Sequence, residues 1–340
     1  MPIFIKPIES QSQWQAMEAK LAPHTFLQSW EWSLSQAALG QQIFRLGIWQ
    51  DDQLRGLAFV YVIKAKRGNF LFCPHGPVIN WHEAGEILPV LLNYLINLSH
   101  EIKADFIRIS PLAPNTAQNK KIFTSLGFKQ APIHMMHPEL AWLLDLAPIE
   151  DDLMANMEKR TRYSIRKAIK DGVKIRKQSD FETLNQFFDL YQKTADRQGF
   201  VPYSRDYLKY ELQSFLNSNK IKIYFADYNN QSVAAAIIVY SNNSAFYHHG
   251  ASIKYNNITA SELLQWQAIK QAKDSGLRYY NFWGIVKPED KNHPWAGLSK
   301  FKTGFGGTSE EYLHAQDFRL TSKYWLNYVV EKIRKIKRGY

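Results

Sequence analysis

Ile43-Phe-Arg-Leu-Gly-Ile-Trp-Gln50 is the first of two β-rich runs that flank the polar turn Asp51-Asp-Gln53, and the second run is Leu54-Arg-Gly-Leu-Ala-Phe-Val-Tyr-Val-Ile63. Two such runs around a short polar turn predict a β-hairpin. The same arrangement returns in residues 221–240, where Asn229-Asn-Gln231 forms the turn. The sequence therefore predicts that one unit is encoded twice.

The hairpins are 178 residues apart, and two further landmarks repeat at the similar offsets of 174 and 177 residues. The first is a helical segment that leads into a strand, and the second is a short segment that ends in Gly-Phe. The helix–strand pairs are Glu83–Lys103 with Phe106–Ser110, and Thr259–Ser275 with Tyr279–Trp283; the Gly-Phe segments are Lys121–Phe128 and Leu298–Phe305. A fixed period indicates duplication. We therefore expect an α/β protein with two similar units of mixed sheet and flanking helices, although two unrelated α/β stretches would also align loosely.

The boundary between the copies is expected near Pro148–Asp151, because Ala141–Leu146 has a strand pattern and Asp151-Asp152 is typical of a helix start. This gives domains at residues 1–147 and 148–318, and a C-terminal segment at 319–340. That last segment contains a basic amphipathic helix, Thr321–Lys337.

Composition excludes several classes of protein. Of the 340 residues, 45% are hydrophobic and 21% are charged, which is incompatible with a disordered or fibrous chain. The apolar runs are far shorter than the ~20 residues of a membrane span. The N-terminus lacks a signal-peptide pattern, and the single cysteine, Cys73, fits a reducing, cytoplasmic setting as an inert core residue. The net charge of +11 favours an anionic partner: RNA, a phosphorylated ligand or an acidic membrane face.

The positive charge is densest between Lys159 and Lys177. The stretch that ends at Gly172 has a helical apolar stripe, made of Leu153, Met157, Ile165, Ala168 and Ile169, and the cations on its flank are Lys159, Arg162, Arg166 and Lys170. Two interpretations remain. The cations form a solvated face, or they bind a polyphosphate, which would release counterions.

A second basic cluster closes the chain and consists of Lys332, Arg334, Lys335, Lys337 and Arg338. It follows the apolar residues Tyr324, Trp325, Leu326, Tyr328, Val329 and Val330. Cations beside interfacial aromatics are typical of a helix on an anionic membrane. The favoured interpretation is that these apolar residues dock onto the protein body, while the cations remain able to contact lipid headgroups.

Two patterns that could indicate a bound ligand occur in the wrong sequence context. Gln53–Ala58 fits the pyrophosphate loop of acetyl-CoA-dependent N-acetyltransferases, but it lies in a hairpin and not at a helix N-terminus. The histidines His134, His137, His248 and His249 have no cysteine or acidic ligand at zinc spacing. We therefore expect neither a cofactor nor a metal.

The most unusual segments are Phe72-Cys-Pro-His-Gly-Pro-Val78 and Gly297-Leu-Ser-Lys-Phe-Lys-Thr-Gly-Phe-Gly-Gly307, the latter just beyond a strand end. Lysines and glycines beyond a carboxyl strand end suit a ligand site. With these segments the chain resembles the FemABX family of aminoacyl-tRNA-dependent peptidyltransferases, which build the interpeptide bridges of bacterial cell walls. Further matching segments are Phe26–Trp32, Lys159–Arg162, Arg197–Tyr207, Tyr247–Ser252 and Tyr279–Ile285.

The resemblance implies a fold of two tandem acetyltransferase-like (GNAT-like) domains with a terminal helix that returns to the first domain, in the compact type without a helical arm. It assigns catalysis to Lys302, with Phe301 shaping the site; Lys300 is a competitor. It implies a pyrophosphate contact by Arg205 and a peptide cleft lined by Trp32, Tyr207, Tyr247 and Tyr255. The compact type also has a lysine near the first tryptophan cluster, where the resemblance implies a first phosphate contact. This chain reads Gln28-Ser29-Trp30 there and has no such lysine.

The implied partners are aminoacyl-tRNA, bound by the helix from Lys159 to Lys170, and a UDP-MurNAc-peptide or lipid-linked peptidoglycan precursor. The Lys302 ammonium would stabilise the oxyanion as an amine attacks the aminoacyl ester. No general base is evident. Two alternatives remain: an acyl-CoA- or acyl-carrier-dependent N-acyltransferase of the same fold, and a non-enzymatic RNA-binding protein.

Overall fold

The computed structural model describes residues 2–21, 24–133, 137–255 and 258–338. It forms two compact units. Unit 1 comprises residues 1–140 and 311–340, and unit 2 comprises residues 141–310. Each unit is an α/β layer structure around one seven-stranded mixed sheet.

The strands of unit 1 are β1 (Phe4–Pro7), β2 (Ile43–Gln50), β3 (Gln53–Ile63), β4 (Phe70–Pro74), β5 (Phe106–Ser110), β6 (Lys129–Gln130) and β14 (Gln316–Arg319). Its helices are α1 (Gln11–Leu21), α2 (Trp30–Ala38), α3 (Ala84–Glu101), α4 (Ala117–Ser125) and α11 (Tyr324–Arg338). The strand order is β1-β2-β3-β4-β5-β14-β6.

The strands of unit 2 are β7 (Leu140–Asp145), β8 (Lys174–Gln178), β9 (Ile221–Tyr228), β10 (Gln231–Ser241), β11 (Ser244–Ser252), β12 (Tyr279–Gly284) and β13 (Thr308–Glu311). Its helices are α5 (Glu150–Ala155), α6 (Lys159–Lys170), α7 (Phe181–Gln198), α8 (Arg205–Leu216), α9 (Ala260–Asp274) and α10 (Ala296–Thr303). The strand order is β8-β9-β10-β11-β12-β7-β13.

The predicted duplication is confirmed, because the two sheets have the same order of corresponding strands. Each contains one parallel pair whose strands are joined through a long helix: β4 and β5 through α3, and β11 and β12 through α9. The apolar positions of α3 recur every three or four residues, and they are buried on the sheet: Ile87, Leu88, Leu91, Leu92, Leu95 and Leu98. Each such side chain contributes about 1.5–3 kcal/mol by leaving water.

The predicted domain boundaries at 148 and 319 are displaced, since the units divide at Ala141 and Glu311. The cause is long-range pairing. β7 pairs with β12, with Asp145 opposite Tyr279, and β14 pairs with β5, with Gln316 opposite Ile109. Ladder partners that are far apart in the chain leave no local pattern for a boundary prediction to use.

A buried ion cluster fixes α11 in unit 1. Arg108 is 1% exposed, and its guanidinium donates to both carboxylate oxygens of Asp317 at 2.7 and 2.8 Å. It also donates to Glu331 of α11 at 2.8 Å. The expectation that the apolar residues of this helix are buried holds for Tyr324 but is wrong for Leu326 and Val329, which are 57% and 51% exposed.

Among the helices that the structure describes, none has the length and apolar character required to traverse a bilayer.

Candidate active site

The parallel pair of unit 2 opens towards its carboxyl end. β11 and β12 pair at only three positions, Ser244 with Tyr279 to Phe246 with Asn281, and no further pair joins these two fully described strands. Both strands continue beyond that point, β11 to Ser252 and β12 to Gly284. Diverging carboxyl ends of parallel strands create a crevice of the kind that ligands occupy in open α/β sheets.

A β-bulge lies on each side of this opening. On β11 the bulged residue is His248, because Tyr247 and His249 face consecutive residues of β10. On β12 the register against β7 shifts between Asn281 and Gly284. Trp283, inside that shift, has a φ of +67°, a conformation that costs a bulky residue on the order of 1–3 kcal/mol. Bulges and strained residues of this kind concentrate at functional sites.

Lys302 reaches this opening from α10. The residue is 5% exposed, its Nζ donates to the carbonyl of Gly284 at 2.5 Å, and the ring centroid of Tyr247 lies 6.0 Å from Nζ. Burial lowers the pKa of Lys302 to about 7. Near neutral pH the side chain can therefore hold a proton or release one, which is the range in which acid–base groups work best.

The neighbouring Lys300 is exposed, although it lies on the same short helix. Its side chain is therefore accessible to water, whereas that of Lys302 is buried. The helix is held to the segment that directly follows β12, since Ser299 Oγ accepts a hydrogen bond from the Val286 amide at 2.9 Å. The sequence could not decide between Lys300 and Lys302 as the catalytic lysine. The structure places Lys302 at the opening between β11 and β12.

Phe301 faces the core of unit 2. It makes an edge contact with Phe305 at 5.4 Å, and Phe305 stacks on Phe282 of β12 at 5.1 Å. These contacts hold α10 against the sheet. The predicted role of Phe301 in shaping the site stays a prediction.

The glycines after Lys302 approach protein backbone and side chains, and not only a ligand space as the sequence suggested. A Cβ on Gly304 would lie 2.5 Å from Thr161 Oγ1 of α6. Gly307 has a φ of +103°, and a Cβ there would lie 2.2 Å from the carbonyl oxygen of Leu143 on β7. The glycine-rich ending therefore permits close packing around α10.

The four tyrosine and arginine positions predicted in unit 2 do not form one cluster. Burial raises the pKa of Tyr247 to about 12, so this residue beside Lys302 remains a neutral phenol. Tyr255 lies instead against Tyr228, ring edge to face at 6.0 Å. Tyr207 stacks on Tyr203 at 4.5 Å.

Arg205 lies on the surface at the start of α8, with a side chain that is 49% exposed. It donates to the side-chain oxygen of Asn185 at 2.9 Å and to Asp189 at 3.3 Å, and its guanidinium lies over the Phe188 ring. Such an exposed pair is weak, typically below 1 kcal/mol, and would exchange readily for a phosphate. Its predicted pyrophosphate contact stays a prediction.

In unit 1, Trp32 is 3% exposed and packs edge to face on Phe26 at 5.5 Å, so the structure gives it a core position with little surface for a peptide. The nearby Gln28 is also buried. Its side-chain amide bonds the backbone of Phe59 and donates to the carbonyl of Pro74 at 2.6 Å. This position therefore supports strand backbone and offers no phosphate contact.

The basic helix is α6, and three of its four predicted cations are exposed: Lys159, Arg166 and Lys170. Arg162 differs, because its guanidinium folds back onto the carbonyls of Ala155 and Met157 and satisfies the end of α5. The predicted apolar stripe is confirmed except at Ile169, which is 58% exposed.

A cluster that the sequence did not reveal lies beside the opening. Glu211 of α8 is buried, and its carboxylate oxygens lie 3.1 Å from His248 Nε2 and 3.2 Å from His249 Nε2. The expectation that these two histidines lack an acidic ligand is therefore wrong, because folding brings Glu211 to them from a distant part of the sequence. Of the other two histidines considered, His134 lies outside the described residues, and His137 stacks on Phe72 in unit 1. The available signal was Glu211 itself, since it interrupts the apolar face formed by Leu208, Leu212 and Phe215.

Burial alone would raise the pKa of the Glu211 carboxyl, but attraction to the two imidazoles holds it well below its usual range. Burial and the neighbouring His248 ring lower the pKa of His249. The carboxylate therefore remains ionised at neutral pH.

A family model, a curated relative and a solved structure all relate this chain to FemAB-type proteins. The sequence model of the FemAB family matches residues 10–232 and 225–332. The lipid II:glycine glycyltransferase of Staphylococcus epidermidis is 22% identical over 380 aligned positions, which cover 91% of this chain and 90% of that protein. The crystal structure of FemX superposes with a TM-score of 0.85 at 18% identity, over 96% of this chain and 99% of FemX.

A tandem GNAT protein from the clavulanic acid biosynthesis pathway superposes with a TM-score of 0.56 at 9% identity, over 93% of this chain and 98% of that one. At these identities the structural similarities concern the fold. They confirm the predicted tandem GNAT-like architecture.

Proposed function

The chain belongs to the FemAB family, and on that premise we propose that it transfers an amino acid from aminoacyl-tRNA to a stem-peptide amine of a peptidoglycan precursor. The observation that carries this proposal is the buried Lys302 at the opening between β11 and β12. A charged side chain is expensive to bury without a counter-charge, and active sites are where proteins tolerate that expense.

In the proposed reaction the acceptor amine attacks the carbonyl carbon of the aminoacyl ester. A C–N bond forms, the C–O bond to the tRNA ribose breaks, and the proton lost by the amine ends on the ribose oxygen. The Lys302 ammonium stabilises the intermediate oxyanion, a contact that is commonly worth about 3–4 kcal/mol. A pKa of about 7 also suits Lys302 to pass a proton to the leaving oxygen.

We assign the tRNA acceptor arm to the exposed face of α6. Lys159, Arg166 and Lys170 are solvent-exposed there, and each can neutralise a phosphate with release of counterions. Arg162 is excluded from this surface because it caps α5.

We assign a contact with an anionic membrane surface to α11. Leu326, Val329, Ile333 and Ile336 are exposed at helical spacing, and Lys332 and Lys335 are exposed beside them. An apolar face flanked by cations is typical of helices that lie in the membrane interface. Such a contact would favour a lipid-linked acceptor over a nucleotide-linked one.

The test is an in vitro transfer assay. Purified protein is supplied with a panel of charged tRNAs and with either UDP-MurNAc-pentapeptide or lipid II in vesicles, and products are identified by mass spectrometry. The proposal expects one amino acid to be added to the stem peptide. No transfer from any charged tRNA to either acceptor, together with acyl transfer from a CoA thioester to an amine, would overturn it in favour of an acyl-CoA-dependent enzyme.

A further inference from the structure

The Glu211–His248–His249 cluster has the composition of a metal site. Adjacent residues of a regular strand point to opposite faces of the sheet, so two neighbouring histidines would normally diverge. Here the bulge at His248 breaks the alternation. As a result, the two imidazole rings lie side by side with centroids 3.9 Å apart, and both face the carboxylate of Glu211.

The donor atoms of the cluster lie close enough together to share one metal ion. One donor atom from each of the three residues lies within 4.8 Å of the other two. The nitrogen–oxygen separations are 3.1 and 3.2 Å. Ligands placed about 2.0–2.1 Å from a tetrahedral Zn²⁺ are roughly 3.3 Å apart, so small side-chain shifts would complete the geometry.

The charge of the cluster favours a cation. Glu211 is 1% exposed, and in the described part of the chain it forms ion pairs with the two histidines and with no lysine or arginine; the phenols of Tyr191 and Tyr203 are its other titratable neighbours. The surrounding side chains are aromatic: the rings of Tyr191 and Tyr203 lie 6.1 and 5.5 Å from His249, and Trp283 lies 6.0 Å from His248.

We propose that Glu211, His248 and His249 form a binding site for a divalent transition metal, with Zn²⁺ as the representative ion. Two imidazoles and one carboxylate are a donor set that suits zinc and related borderline metals. With three protein ligands, a bound ion would keep one coordination position for water or another ligand, as catalytic zinc sites do.

The test measures metal binding directly and does not depend on transfer activity. Tag-free protein is stripped with a chelator, dialysed and titrated with Zn²⁺ by calorimetry, and the bound metal is counted by mass spectrometry. The proposal expects one saturable site per chain and an increase in Tm with Zn²⁺, because an ion that binds only the folded state stabilises it.

Glu211→Gln and His248→Ala are each expected to weaken Zn²⁺ binding at least 100-fold and to abolish the increase in Tm. The matched control is His314→Ala, which removes the His314–Glu139 pair of unit 1 and should leave zinc binding unchanged. If Glu211→Gln fails to fold, His248→Ala decides, since His248 is the most exposed of the three side chains. No saturable site in the wild type, or wild-type affinity in His248→Ala, would overturn the proposal.

Discussion

The two units contain the same parallel strand pair and use it differently. In unit 1, β4 and β5 remain paired along five positions, from Phe70 with Phe106 to Pro74 with Ser110. In unit 2, β11 and β12 separate after three, and bulges lie on both strands where they part. One duplicated element therefore serves as a closed core in one copy and as a candidate active site in the other.

Each pair also has a buried cation nearby. Comparing the two cations shows how a structural cation differs from one that can act in catalysis. Arg108 on β5 is surrounded by two carboxylates, which raise its pKa despite desolvation. Lys302 has a carbonyl and an aromatic ring, and its pKa falls to about 7. A cation whose charge is balanced by the protein stabilises the fold, whereas an unbalanced one is available to a substrate.

The largest expected effect on stability is at Arg108. Arg108→Met leaves Asp317 and Glu331 without their cation, and such an uncompensated buried charge typically costs about 3–5 kcal/mol. The matched control is Arg278→Met, which breaks the exposed pair with Asp145 and should cost less than ~1 kcal/mol. Urea denaturation of both variants measures the free energy of unfolding. Equal decreases in the two variants would contradict the stabilising role of the buried Arg108 cluster.

The opposite sign is expected at Lys302. Lys302→Met should stabilise the protein by roughly 1–3 kcal/mol below pH 7, after allowing for the lost hydrogen bond to Gly284. Below pH 7 both folded and unfolded chains hold the proton, so the burial penalty is complete; it shrinks as pH rises from about 7 towards 10.5. Thermal unfolding at pH 6 and pH 9 checks this, with Lys300→Met as an exposed control. A gain that does not shrink with pH would refute the assignment of a desolvated ammonium.

A smaller effect is expected on the basic face of α6. Arg166→Glu with Lys170→Glu should raise the KM for aminoacyl-tRNA by about 3- to 10-fold at low salt and weaken its salt dependence, because two phosphate contacts are lost. The control is Lys120→Glu with Lys121→Glu on α4, an exposed pair of lysines of unit 1. Steady-state kinetics at several salt concentrations measures both, and an unchanged KM would return α6 to the role of a solvated face.

The duplicated hairpins and the helix–strand pairs that follow them were predictable, because each has a local pattern of apolar and polar residues. The hairpin predicted at 43–63 has the same outer bounds as β2–β3, and the one predicted at 221–240 ends one residue before β10 ends. The unit boundaries were not predictable, since β7 and β14 are placed by ladders to residues far away in the chain.

The site was predictable only in part. The resemblance pointed to Lys302, but its burial could not be read from a segment that also contains the exposed Lys300. The capping role of Arg162 and the convergence of Glu211 on two histidines depend on a helix break and a β-bulge, and neither has a strong sequence pattern.

The most direct test of the account is the single-turnover rate of amino-acid transfer by Lys302→Met, compared with Lys300→Met at the same pH. We expect the rate to fall by at least ~10² in Lys302→Met, on the scale of a removed oxyanion contact, and to stay within about twofold of wild type in Lys300→Met. A near-wild-type rate in folded Lys302→Met would contradict the claim that the open strand pair of unit 2 is the catalytic site.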